Sequence, residues 1–290
     1  MLNINVENSL KEIKRNGFCI IEGAISDLDI SDLQSKFTNL FTREKTSGNQ
    51  LGSTWNEDGE SVWVDHPFAV DRKLLHISTD KNLVRLISEY LSCKIQMSYA
   101  FAYRLFPVAS VNNKNQHKIY TPGVFKGWHS DANLTAESRG YRCLVAMIYL
   151  SDVSPGDGGV TIVRGSHLYG GKKRAWDQAE FPQEDIVEVC GPRGSLIIFD
   201  MEMIHRAGTP QGEKPRDIIR FMYSPIGSYA TDYLIPLSFF DGDLDEESIE
   251  ILGCNKFKND GISFSPLHDK DNSKLNKRIL LRKFLSRIVG

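Results

Sequence analysis

Apolar and polar positions follow two periods along this chain, and the change from one to the other divides it. In the front third the spacing is helical. Leu10 and Ile13 share one side of a helix predicted over residues 7–15, which Asn16-Gly17 stops in the manner of a C-terminal cap. Ser26-Asp27 caps a second helix running to about Arg43, with Leu28, Leu33, Phe37, Leu40 and Phe41 as its apolar stripe. Leu83, Leu86, Ile87 and Tyr90 mark one face of a third, from Lys81 to Leu91. Between the first two helices, Phe18-Cys19-Ile20-Ile21 reads as a brief buried strand. The polar, Gly-rich stretch from Lys45 to Glu60 reads as a loop.

From Ile95 the period drops to two. Ile95 to Leu105 alternates Ile95, Met97, Tyr99, Phe101, Tyr103 and Leu105 against Gln96, Ser98, Ala100, Ala102 and Arg104, the pattern of a half-buried strand. Tyr141 to Leu150, the turn Ser154 to Gly159 and Val160 to Val163 read as a hairpin. Ile186 to Val189, Ser195 to Phe199 and Arg216 to Tyr223 are further strands, while Tyr169 to Gln183 is a polar excursion expected as a helix or lid. Short strands at intervals of roughly ten residues, joined by Gly/Pro turns, predict a double-sheet β fold with helices at its front end. No fixed repeat and no boundary between two cores is visible. Residues 1–290 therefore read as a single domain, with 1–94 a mostly helical flank and 270–290 a basic amphipathic tail.

An apolar fraction of 41% is ample for a core, and 35 Lys plus Arg against 37 Asp plus Glu leaves a net charge of -2. That balance removes any general electrostatic reason to bind nucleic acid and makes a small molecule the expected partner. The five cysteines, Cys19, Cys93, Cys143, Cys190 and Cys254, are scattered with no C-x-x-C pair, which predicts reduced thiols and a cytoplasmic protein. Residues 1–7 lack the basic and apolar regions of a signal peptide, and no apolar run is long enough to cross a bilayer.

Chemistry concentrates at Lys126-Gly127-Trp128-His129-Ser130-Asp131-Ala132-Asn133. On a strand, His129 and Asp131 point to the same side with Ser130 turned away. An imidazole beside a carboxylate suits a divalent metal of middling softness, and one more His would complete a two-His-one-carboxylate face with three positions left open. Alone, H-x-D is weak, because chance pairs in cores and turns are common. His205, directly after the strand Ser195 to Phe199 and its turn, is the candidate third ligand. His167 is a ligand by type only, and its place in a Gly-Ser-His turn favours tying up backbone groups. Arg216 follows His205 by eleven residues and opens the last strand. A buried guanidinium there suits a bidentate grip on the carboxylate of a chelating organic acid.

Taken together, these stretches resemble the phytanoyl-CoA dioxygenase-like iron(II)/2-oxoglutarate oxygenases. The likeness rests on Asn16-Gly17 before a short strand, Trp128-His129-Ser130-Asp131, the run from Gly158-Gly159 to Gly165-Ser166-His167, Gly194 to Asp200 before His205, and Pro215-Arg216. Arg164 departs from it, since the family commonly has Pro before Gly-Ser-His.

The resemblance implies a double-stranded β-helix, a cupin-like jelly roll with flanking helices. It implies His129, Asp131 and His205 as iron ligands and Arg216 as the 2-oxoglutarate-binding arginine, with Arg220, of the same strand parity, as the alternative. It further implies Fe(II), 2-oxoglutarate and O2 as reactants, release of succinate and CO2, and oxidation, most simply hydroxylation, of a C–H bond of a metabolite in a biosynthetic route. The carboxylate of Asp131 disfavours halogenation, because halogenating relatives carry a small residue there. Tyr99, Tyr103 and Trp128 are the candidate substrate-lining residues, although aromatics on such faces are more often core.

Two matters are open in the sequence. A non-redox metal-binding jelly-roll module or isomerase would share the metal triad but would not need Arg216. The segment Lys274 to Val289 sets Leu281, Phe284, Leu285 and Ile288 against Lys277, Lys283 and Arg287; self-packing or a homodimer is favoured over contact with a membrane surface. The loop from Val108 to Pro122, adjacent to the motif, is expected as a lid.

Overall fold

The first helix, α1 (Val6–Asn16), stops at Gly17, whose φ of 85° is the left-handed conformation and whose N–H donates to the Ile13 carbonyl at 2.8 Å. This reversal aims β1 (Phe18–Ile21) into the larger of two sheets. The molecule is known from a computed structural model that describes residues 2–41, 53–55, 61–64, 67–107, 127–131, 142–168, 175–176, 181–208, 210–226 and 244–252. The predicted lid at Val108 to Pro122 and the tail 270–290 lie outside the described residues.

The remaining helices are α2 (Asp27–Thr38), α3 (Pro67–Val70), α4 (Lys73–Ser78), α5 (Lys81–Leu91) and α6 (Glu246–Ile251). The other strands are β2 (Ser53–Trp55), β3 (Ser61–Val64), β4 (Ile95–Leu105), β5 (Trp128–His129), β6 (Leu144–Tyr149), β7 (Thr161–Val163), β8 (Ala175–Trp176), β9 (Ile186–Glu188), β10 (Leu196–Asp200), β11 (His205–Arg206) and β12 (Arg216–Pro225). They form a seven-stranded sheet in the order β1-β10-β6-β12-β4-β3-β2 and a five-stranded sheet in the order β8-β5-β11-β7-β9. All the pairings are antiparallel, and the two sheets make a double-stranded β-helix, the cupin-like jelly roll.

Strand alternation deals the side chains of the larger sheet to two cores. Ile219, Phe221 and Tyr223 of β12 face the helices and pack with Ile13, Ile30, Leu33, Phe37, Leu83 and Leu86. Ile218 faces the other way, into the space between the sheets, with Val145, Met147, Tyr149, Ile197, Phe199, Ile162 and Met203. Tyr149 bridges that space, its hydroxyl donating to the Val189 carbonyl at 2.6 Å.

Several local readings are corrected by this arrangement. The helix α2 is capped by Ser26 but ends at Thr38, and Leu28 is 82% exposed while Ile30, Leu33 and Phe37 carry the buried face. The predicted hairpin does not form: β6 and β7 belong to different sheets, so the Pro155–Gly159 turn carries the chain from one to the other. Two apolar strands flanking a turn have the same pattern in either arrangement. In β4 the register slips, with Met222 opposite Tyr99 but Tyr223 opposite Met97, which leaves Ser98 as a bulge. Ile95 and Met97 therefore join the helix-side core with Ala100 and Ala102. Tyr103 packs against the core between the sheets, while Tyr99 packs against the helix-side core. The polar excursion after Tyr169 contains β8 rather than a helix among its described residues, while the described part of 1–94 is mainly the helices α1 to α5 with the short strands β1, β2 and β3.

A Cβ on Gly17 would collide with the Met203 side chain and sit 2.6 Å from His167 Nδ1. Gly17→Ala is therefore expected to destabilise the fold by roughly 1–3 kcal/mol, the usual penalty for a strained left-handed residue. Urea unfolding of the two proteins measures it; equal midpoints would contradict the assigned cap.

Candidate metal centre

His129 and His205 are direct cross-strand partners in the β5–β11 ladder. Residues facing each other across antiparallel strands hold their Cβ atoms about 5 Å apart, and here the two imidazole centroids are 4.5 Å apart. Both side chains are buried. Each ring donates from Nδ1 to a backbone carbonyl two residues earlier, His129 to Gly127 at 2.8 Å and His205 to Met203 at 2.9 Å. A carbonyl can only accept, so each Nδ1 carries a proton and Nε2 is the nitrogen left to face a ligand.

Those Nε2 atoms meet a carboxylate. Asp131 lies just past the end of β5, with Oδ1 3.5 Å from His129 Nε2 and Oδ2 3.6 Å from His205 Nε2. The three side chains offer ligand atoms that all lie within 4.8 Å of one another. An ion held about 2 Å from each donor at right angles would separate neighbouring donors by about 3 Å, so small side-chain shifts suffice. The donor set of two imidazoles and one acid suits a divalent first-row metal with an open face.

The charge states suit that use. Burial opposes ionisation of Asp131, yet the Arg220 guanidinium together with His205 and His129 holds its carboxyl well below the usual range. Burial pushes the His205 imidazole from its ordinary 6.5 down to about 4, against the pull of Asp131.

Two arginines enter from the larger sheet, on the same face of β12. Arg216 is only 1% exposed. It donates from one terminal nitrogen to the Gly158 carbonyl and from the other to the Tyr103 hydroxyl at 2.9 Å, while its buried Nε has no partner among the described residues. The Gly158 carbonyl can reach it because Gly158, at φ 80°, and Gly159 pack tightly against Pro210, Val189 and Gly208, where a side chain would clash. Arg220 instead reaches the metal cluster: its terminal nitrogen is 2.5 Å from Asp131 Oδ2.

The sequence-predicted residues thus separate. His129, Asp131 and His205 come together, and Tyr103 meets Arg216. Tyr99 faces Met222 across the ladder, its ring 5.1 Å from Phe101. Trp128 does not line the centre. It precedes His129 by one residue and packs on the opposite side of the smaller sheet, with Val163, Ile204, Phe181 and Ile186. His167 is also apart, buried with Nε2 3.2 Å from the Lys14 carbonyl. The partnership of Arg220 with Asp131 had only strand parity to signal it, and the role of Gly158 only the paired glycines.

A buried two-His-one-carboxylate cluster in a jelly roll defines a class of protein, and the sequence comparison narrows it. The chain belongs to the phytanoyl-CoA dioxygenase (PhyH) family, whose model matches residues 13–218. No curated protein matches it significantly. Among solved structures it is similar to the non-heme alpha ketoglutarate dependent epimerase SnoN from nogalamycin biosynthesis, at 16% identity and a TM-score of 0.59 over 78% of this chain and 85% of that one. AviO1 from Streptomyces viridochromogenes Tue57 gives 18% and 0.57 over 80% and 100%. EvdO2 from Micromonospora carbonacea var. aurantiaca, solved with 2-oxoglutarate, gives 15% and 0.57 over 85% and 97%. At such identities the likeness shows the fold.

The His205 shift has a pH signature. Unfolded, the imidazole takes up a proton near its ordinary 6.5; folded, it resists until about 4. Between those values the unfolded chain binds more protons, so the metal-free fold is expected to weaken as pH falls through the window and to keep the full contribution above it. Urea midpoints at stepped pH read this directly; a midpoint that stays flat, or rises, on acidification would contradict the assignment.

Proposed function

We propose that this chain is an iron(II)/2-oxoglutarate-dependent oxygenase, acting as a single domain in the cytoplasm on a small-molecule metabolite and most simply hydroxylating an unactivated C–H bond. The observation that carries the reading is the convergence of two imidazole Nε2 atoms and the Asp131 carboxylate beside a strand that supplies a buried arginine. His129, Asp131 and His205 would each offer one ligand atom to the metal, a donor set that suits iron(II) with room for a co-substrate. Iron and 2-oxoglutarate, when bound, supply an oxidant made from O2, with succinate and CO2 as by-products.

Arg216 grips the distal carboxylate of 2-oxoglutarate. A buried guanidinium with an unpartnered Nε and a tyrosine hydroxyl at its side fits an anion with several acceptor oxygens. Tyr103 stands beside that carboxylate, and Tyr99 lines the approach for substrate further along β4. The walls of Ile218, Phe199 and Met203 keep water from the reacting atoms.

The reaction outcome is where similar structures diverge: SnoN is described as an epimerase, and SnoK from the same biosynthesis as a carbocyclase. Product mass separates the outcomes. Hydroxylation adds one oxygen, ring closure removes two hydrogens and epimerisation changes nothing.

His129→Ala, Asp131→Ala and His205→Ala are each expected to abolish succinate release while leaving the circular dichroism spectrum intact. Any one that keeps full turnover is not a ligand. Arg216→Gln is expected to weaken 2-oxoglutarate binding by roughly 10- to 100-fold, the value of a charge-assisted hydrogen bond, while the metal still binds. The anaerobic charge-transfer band of the iron–2-oxoglutarate chelate reads both; its absence in the wild type would leave a non-redox metal module.

A further inference from the structure

We infer that Glu188 is a positioning residue for the arginine that grips the co-substrate: it holds the peptide unit joining Gly158 to Gly159, whose carbonyl accepts from Arg216, and so sets the direction of that guanidinium. The inference rests on the role proposed for Arg216 and extends it to a side chain outside the space between the sheets.

Glu188 closes β9 and lies opposite Thr161 of β7. Its neighbour Val187 packs into the core between the sheets, so strand alternation turns Glu188 away from that core. From there its carboxylate spans the turn 155–159. Oε1 accepts from the Gly159 N–H at 3.1 Å, and the Gly156 N–H lies 3.0 Å from Oε2 and 3.2 Å from Oε1.

The turn needs such a hold. Its first half closes on itself, with the Asp157 N–H donating to the Ser154 carbonyl at 2.9 Å and the Ser154 N–H to Asp157 Oδ2 at 3.0 Å. The second half contains Gly158, which like Gly156 takes a left-handed conformation, at φ 80° and 89°. Glycine has little intrinsic preference for one backbone conformation over another. Two bonds from one carboxylate supply the preference.

The bonded atoms belong to one rigid group. The Gly158 carbonyl and the Gly159 N–H share a planar trans peptide and point in opposite directions. Glu188 holds the N–H end, and a terminal nitrogen of Arg216 donates to the carbonyl end. The other terminal nitrogen of Arg216 donates to the Tyr103 hydroxyl at 2.9 Å. A guanidinium held at both terminal nitrogens keeps its Nε–H in one direction. Negative charge at one end of the peptide and positive charge at the other polarise it in the same sense, which strengthens both bonds. Moving the carboxylate turns the peptide plane, and the carbonyl turns with it.

The test is calorimetric titration of the Co(II)-loaded full-length chain with 2-oxoglutarate, and with oxalate as the control chelator that has no distal carboxylate. Glu188→Gln keeps the shape but exchanges one acceptor oxygen for an NH2 group. It is expected to weaken 2-oxoglutarate binding roughly 3- to 10-fold, the worth of one ordinary hydrogen bond, and to leave oxalate and Co(II) affinities unchanged. In an Arg216→Gln background it should add nothing further, as for residues that act through one contact. Should Glu188→Gln not fold, Glu188→Asp, whose shorter side chain falls short of the turn, replaces it with the same expectation. Unchanged 2-oxoglutarate affinity overturns the inference, and so does a loss shared equally with oxalate or one that adds fully to that of Arg216→Gln. A second readout needs neither ion nor co-substrate: the Arg216 Nε–H signal in the NMR spectrum, assigned by its absence from Arg216→Gln, should move in the Glu188 variant, and a signal that stays in place overturns the inference. If the wild-type chain binds no 2-oxoglutarate, or Arg216→Gln binds it as well as wild type, the co-substrate reading fails while that signal still decides whether Glu188 orients Arg216.

Discussion

One antiparallel pairing, His129 opposite His205 in the β5–β11 ladder, is the constraint on which the rest of this structure converges. Two imidazoles from distant parts of the chain share a point because their strands share hydrogen bonds, and that point is buried. An unpaired polar group there would cost free energy, so each Nδ1 is matched to a carbonyl and each Nε2 is left facing the carboxylate. The β5 and β11 strands are only two residues long. Their geometry is maintained by β7 and by the core between the sheets rather than by their own length.

The larger sheet supplies what the smaller one lacks, which is positive charge. Strand β12 separates its ionic groups by face. Arg216 and Arg220 point between the sheets, while Asp217 points to the helices and makes two 2.6 Å bonds to Arg104, its cross-strand partner. A carboxylate on the inner face would have competed for the two guanidinium groups. With it on the other side, one arginine is left to a backbone carbonyl and a tyrosine, and the other to Asp131.

The redox character of the thiols is consistent with this economy of charge. Cys19, Cys93, Cys143 and Cys190 carry reduced thiols, and burial pushes those of Cys19 and Cys143 up to about 12. Such thiols are packing groups, as their scattered spacing suggests. Among the described residues no helix is long and apolar enough to cross a membrane.

Local chemistry made much of the chain legible: Gly17 as a cap, Ser26 as a cap, α5 from its apolar spacing, β10 and β12 from their runs, and the metal triad from residue types and a family likeness. Each depends on neighbours in sequence or on groups whose chemistry admits few uses. Only the tertiary structure decided that β6 and β7 part company, that Ser98 bulges and so brings Ile95 and Met97 to the face of Ala100 and Ala102, that Trp128 is buried with Val163 and Ile204, and which arginine meets which oxygen. The reason is physical. Strand alternation states that two residues share a face but not what lies across from it, and sheet membership is set by pairing between segments far apart in the chain.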